Sequence, residues 1–169
     1  AMYGICVFFV FAGVVVSTAK KVYPLKLSCV LLAWCFFVFS FTYGNALREQ
    51  QDYAQFRITA VINDLNSLDI MVGHGKKEMQ LEGGIGYAPV VKNMVKHNQM
   101  IKSLVPIQFK SGWRTEEWRF FHYYGIKNIE WNWPKKSGKN FKDYNLPILK
   151  DTMYHTIRGK DGCVLVELK

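Results

Sequence analysis

Residues 1 to 47 hold two uncharged apolar stretches, Ala1 to Ala19 and Leu27 to Leu47, separated only by the basic linker Lys20 to Lys26. At about 1.5 Å of rise per residue, each stretch is long enough to cross a hydrocarbon core of about 30 Å, which predicts two transmembrane helices joined as a hairpin. A buried helix of a soluble protein seldom stays uncharged for so long. A signal peptide would carry a positive stretch ahead of the first apolar run, and none is present. All three charges of the linker are lysines, so the positive-inside rule assigns it to the cytoplasmic side and assigns residues 48 to 169 to the outside.

Beyond Leu47 the pattern changes. Ala54, Ile58, Val61, Leu65 and Leu68 recur at alternating spacings of four and three, while Arg48, Gln51, Asp52 and Asp64 read as other faces. This periodicity predicts an amphipathic helix from Ala46 to Leu68 that can continue the second membrane helix. Gly73, Gly75, Lys76 and Lys77 mark a loop. Glu78 to Leu81 reads as a strand, and Glu82 to Pro89 as a strand-to-helix turn with proline at the first helical position. Val90, Val91, Met94 and Val95 then give a short helix ending near His97 and Asn98, followed by an expected strand from Leu104 to Phe109. Strand, helix and strand at this spacing predict a βαβ unit with a parallel pair.

Trp113 to Tyr124 reads as a further helix, closed by Gly125, and Asn132 to Asn145 as a loop rich in lysine. The chain ends on a hairpin signal: Thr152 to Ile157, a turn at Gly159 to Gly162, then Cys163 to Leu168. The expected fold is therefore a membrane α-helical hairpin followed by a small α/β (α+β) soluble domain with a βαβ unit and a C-terminal β-hairpin.

Charge narrows the partners. Residues 48 to 169 contain all thirteen acidic residues and nineteen of the twenty-two Lys and Arg, leaving a net +6. Outside the cytoplasm such a surface suits anionic lipid headgroups, lipid-linked phosphates or acidic glycans, and no nucleic acid is expected. Cys6, Cys29 and Cys35 fall in the apolar stretches, which leaves Cys163 without a partner for an intramolecular disulfide. His74, His97, His122 and His155 are scattered singly, with no zinc-ligand spacing, so no metal is expected.

Two segments carry candidate chemistry. The turn at Gly83, Gly84 and Gly86 could present main-chain N–H groups and a helix N-terminus to a phosphate, although glycines in a tight turn need no ligand. The segment from Trp113 to Tyr124 combines six aromatic side chains with Arg114, Arg119, Glu116, Glu117 and His122. Aromatic rings such as Trp113 and Trp118 can stack on sugar faces, and arginine can hold a phosphate through paired hydrogen bonds. The plainer reading buries Trp118, Phe121 and Tyr124 in a core and leaves Arg114, Arg119 and His122 as the substrate-binding candidates. Glu49, Asp52 and Glu116 are the carboxylates considered as a base for glycosyl transfer, and none forms a recognisable catalytic pair.

Several short motifs occur together: Phe41-Thr42-Tyr43-Gly44-Asn45-Ala46-Leu47 at the end of the second apolar stretch, Ile85-Gly86-Tyr87-Ala88-Pro89-Val90-Val91-Lys92-Asn93, Leu104-Val105-Pro106, Trp113-Arg114 with Tyr123-Tyr124-Gly125, and Leu146-Pro147 followed by Thr152-Met153-Tyr154. From about residue 27 onward the chain resembles the C-terminal portion of the type II O-antigen glucosyltransferases encoded by serotype-converting phages and their bacterial relatives. The resemblance implies an inner-membrane enzyme with a periplasmic C-terminal domain. It implies transfer of glucose from undecaprenyl-phosphate glucose to lipid-linked O-antigen, a modification of lipopolysaccharide. It also implies a base carboxylate in an early periplasmic loop upstream of Ala1, so no catalytic residue carries over. A membrane-anchored, non-catalytic periplasmic binding or assembly module is the other reading these residues allow.

Overall fold

The computed structural model describes residues 9–11, 13–14, 16–18, 23–71, 75–109, 124–126 and 128–169. The chain divides into two units, Ala1–Leu47 and Arg48–Lys169.

In the first unit, the described residues between 9 and 18 are helical, and Phe9 packs edge-on against Phe36 with ring centroids 5.4 Å apart. The main element is helix α1, Tyr23–Ser67, 45 residues long. Among the described residues it is the one helix long and apolar enough to cross a membrane by length and composition, and its most apolar window is not buried by protein. Val30, Trp34, Phe37 and Phe41 are all exposed. Two hydroxyls along this stretch bond within the helix. Ser28 donates to the Pro24 carbonyl at 2.9 Å and Thr42 to the Val38 carbonyl at 2.8 Å, which spares the cost of an unpaired polar group in an apolar medium. Part of the expected linker is helical, because α1 begins at Tyr23. Pro24 is tolerated there, since first-turn N–H groups have no intrahelical acceptor.

In the second unit, the C-terminal part of α1 packs on a five-stranded sheet of order β2-β1-β5-β4-β3. Its strands are β1 (Lys77–Gly83), β2 (Ile129–Trp131), β3 (Ile148–Asp151), β4 (His155–Lys160) and β5 (Cys163–Leu168). β1 pairs in parallel with both β2 and β5, whereas β3, β4 and β5 form an antiparallel meander. Ala54, Ile58, Val61 and Leu65 of α1 are buried against Met79, Ile157, Val164 and Val166 of the sheet. The predicted apolar stripe is thus the core face.

Two helices follow β1: α2 (Pro89–His97), with proline in its first turn, and α3 (Gln99–Leu104). The strand expected from Leu104 to Phe109 does not form. α3 occupies the start of that segment, and β1 already has a neighbour on each side, so no edge is open to it. The parallel partners of β1 are instead β2 and β5. The connection from β1 to β2 passes through α2 and α3, so the βαβ arrangement uses a later strand than expected.

The loop expected over Asn132 to Asn145 contains a single helical turn, α4 (Pro134–Ser137), and a 3-10 turn at Phe141–Tyr144. Buried Gln80 fixes this segment to β1. Its Oε1 accepts from the Phe141 N–H at 2.8 Å, and its Nε2 donates to Asn140 Oδ1 at 2.9 Å. The C-terminal hairpin forms, with β4 starting at His155 and a two-residue turn at Asp161 and Gly162, whose φ values of 50 and 83 match a type I′ turn.

Candidate functional site

A column of polar side chains runs down the buried face of α1. Gln50, Arg57 and Asp64 are spaced seven residues apart, so they stand above one another at steps of about 10 Å along the helix. They interrupt the apolar stripe, and each engages a different part of the domain.

Gln50, fully buried, clamps the glycine-rich turn. Its Nε2 donates to the Gly86 carbonyl at 2.8 Å, and its Oε1 accepts from the Ala88 N–H at 2.9 Å. The turn is shaped by backbone needs. Gly83 has a φ of 84, and a Cβ there would overlap the Leu168 carbonyl of β5, while Gly86 has a φ of 71. Gly84 lies half-buried in the irregular segment between them. The Ala88 N–H, at the mouth of α2, is therefore committed to Gln50.

Arg57 is 3% exposed, and among the described residues no Asp or Glu side chain forms an ion pair with it. Its guanidinium lies 5.5 Å from the Tyr53 ring centroid and 4.8 Å from that of Tyr154. Nη1 donates to the Tyr53 hydroxyl at 2.7 Å, and Nη2 donates to the main-chain oxygens of Tyr154 at 2.6 Å and Lys169 at 2.7 Å. The buried cation is thus held by ring faces and carbonyl dipoles, which ties α1 to the β3–β4 turn and the end of β5. Nε has no partner. The apolar part of Arg57 borders a narrow recess lined also by Leu81, Ile85, Phe109 and Trp131.

Asp64 receives two donors: Lys150 Nζ at 2.7 Å on Oδ1, and His155 Nε2 at 3.0 Å on Oδ2. A carboxylate only accepts, so the His155 proton sits on Nε2, and the unpartnered Nδ1 is a bare acceptor in a neutral ring. Burial is the largest influence on His155 and pushes its pKa below the usual histidine value. The Asp64 charge and hydrogen bond oppose this, and the Arg57 and Lys150 cations add to it. Thr152 locks the turn that delivers the ring, accepting from the His155 N–H at 3.0 Å and donating to the His155 carbonyl at 2.8 Å.

In chemical terms, Asp64, His155 and Lys150 could relay a proton. The imidazole is 1% exposed, however, and substrate could not reach it without displacing core. Asp64 also departs from the sequence expectation, facing the sheet rather than another side of the helix. Among the described residues, no three His, Cys, Asp or Glu side chains converge as metal ligands.

Trp113, Arg114, Glu116, Trp118, Arg119 and His122 lie outside the described residues. Tyr124 and Gly125, at the end of that segment, are described. Gly125 has a φ of 68, and both line an open groove with Ile62, Asn66, Met71 and Asn128. Glu49 and Asp52 are solvent-facing on α1, and Asp52 pairs loosely with Arg48 at 3.8 Å. The sequence did contain a signal for the polar column: the seven-residue recurrence of Gln50, Arg57 and Asp64 inside an apolar stripe. The chain matches no protein-family model, no curated protein and no solved structure.

Proposed function

We propose that this chain is the membrane-anchored, periplasmic part of a glucosyltransferase that uses undecaprenyl-phosphate glucose, and that its domain shapes the site for the lipid-linked donor or the O-antigen acceptor. The observation that carries this reading is the continuity of α1: one helix holds the exposed, uncharged run and then becomes the core helix of the sheet domain. In such a chain the sheet domain follows directly in sequence on the membrane-length run, and a polyprenyl-linked sugar would be presented at that bilayer surface. The resemblance of its short motifs to those of O-antigen glucosyltransferases and the net +6 of residues 48 to 169 support the same substrate class.

The polar clusters of the domain are closed on themselves, which fits a part that positions substrate and leaves general base chemistry to another segment. That same closure favours the second reading, a self-contained binding or assembly module without chemistry. Mass spectrometry of lipopolysaccharide from cells carrying the complete gene separates the two. The transferase reading predicts a glucose addition that is lost in the Arg114→Ala, Arg119→Ala double variant. Unchanged lipopolysaccharide with the complete gene would leave only the module, and normal glucosylation by the double variant would remove both arginines from the site.

A further inference from the structure

We propose that α2, α3 and the residues up to Ile107 form a surface that docks on anionic lipid headgroups. The proposal rests on the membrane anchoring argued above and adds to it a second point of contact.

Three observations meet in this segment. First, no Asp or Glu occurs between Glu82 and Glu116, while Lys92, Lys96 and Lys102 are all exposed. Elsewhere in the domain several lysines are paired with acids, as in Lys76 with Glu130, Lys142 with Glu82 and Lys169 with Asp151. Lys92 and Lys96 stand one turn apart on an exposed flank of α2, about 100° and 140° around the helix from buried Val91. Second, large apolar side chains are exposed among these lysines: Val90 at 49%, Met100 at 66% and Ile107 at 37%. A surface of apolar groups interleaved with lysines is the pattern by which a helix lies in a lipid headgroup layer, the apolar groups entering the acyl boundary and the ammonium groups meeting phosphates. Third, the Gln50 clamp fixes the start of α2 to α1.

The occupant is a lipid surface rather than a nucleic acid or an acidic protein, because the same chain carries a helix long and apolar enough to cross a membrane and the exposed apolar groups need an acyl boundary. The test uses the full chain in lipid nanodiscs of phosphatidylcholine alone or with phosphatidylglycerol, read by hydrogen–deuterium exchange of the 89–107 peptides. A lysine held near an anionic surface is worth about fivefold in binding. Exchange over 89–107 should therefore slow several-fold in the anionic discs, and the difference should vanish in the Lys92→Gln, Lys96→Gln, Lys102→Gln variant. Peptides covering β4 and β5 should not change, which reports that the variant is folded. Equal exchange in both disc types, from a chain that has incorporated, would overturn docking and leave anchoring intact. Failure of the chain to incorporate would overturn both.

Discussion

Gln50, Arg57 and Asp64 occupy one column of α1 but solve different problems. Gln50 satisfies main-chain groups that the glycine turn leaves over, Arg57 binds two tyrosine rings and two main-chain oxygens, and Asp64 collects one neutral and one charged donor. Apart from Tyr53, one turn before Arg57, their partners lie far away in sequence. Arg57 bonds across 97 and 112 residues, and Asp64 across 86 and 91. His155 yields a pH prediction at this scale. Its folded pKa lies below the unfolded value of about 6.5, so the unfolded chain takes up the proton more readily. The contribution to stability is complete above about pH 6.5 and is lost as pH falls from there through the folded pKa. The thermal midpoint in detergent should therefore fall between pH 7.5 and pH 5.5, and fall less in His155→Gln. An identical fall in the variant would show that His155 is not the titrating group.

At the scale of elements, the legible parts were those with a strong local period. The stripe from Ala54 to Leu65 gave the core face of α1, Pro89 gave the start of α2, and Asp161-Gly162 gave the hairpin turn. The illegible parts were decided by competition for sheet edges. Leu104 to Phe109 has strand-like composition, yet Pro106 lacks a donor and both sides of β1 are taken by β2 and β5. β2 has three residues and β3 is an exposed edge strand with a register shift, so neither displays an alternation to read. The substrate-binding candidates at Trp113 to His122 lie outside the described residues, and the interlocking of turn and helix through Gln50 had no local signal. This interlock makes a prediction for the element pair. Gln50→Ala leaves the Gly86 carbonyl and the Ala88 N–H without their partner, and should cost about 2 kcal/mol. Exchange at the start of α2 should then rise more than exchange in β4 and β5. A uniform rise across the domain would mean that Gln50 does not hold α2 in particular.

For the whole molecule, the uncharged run and the sheet domain share α1, and the charge is divided with them. The first 47 residues carry three lysines and no acid, and the remainder carries the net +6. Placing the lysines of the linker inside and the domain outside is the premise of both the transferase reading and the lipid-docking surface. The most direct measurement is labelling of engineered cysteines in intact spheroplasts by a membrane-impermeant maleimide, with the unsubstituted chain as background. Lys160→Cys, at an exposed position beside the hairpin turn, should label in intact spheroplasts, whereas Lys26→Cys should label only after permeabilisation. Labelling of Lys26→Cys in intact spheroplasts, with Lys160→Cys protected until permeabilisation, would contradict the proposed topology.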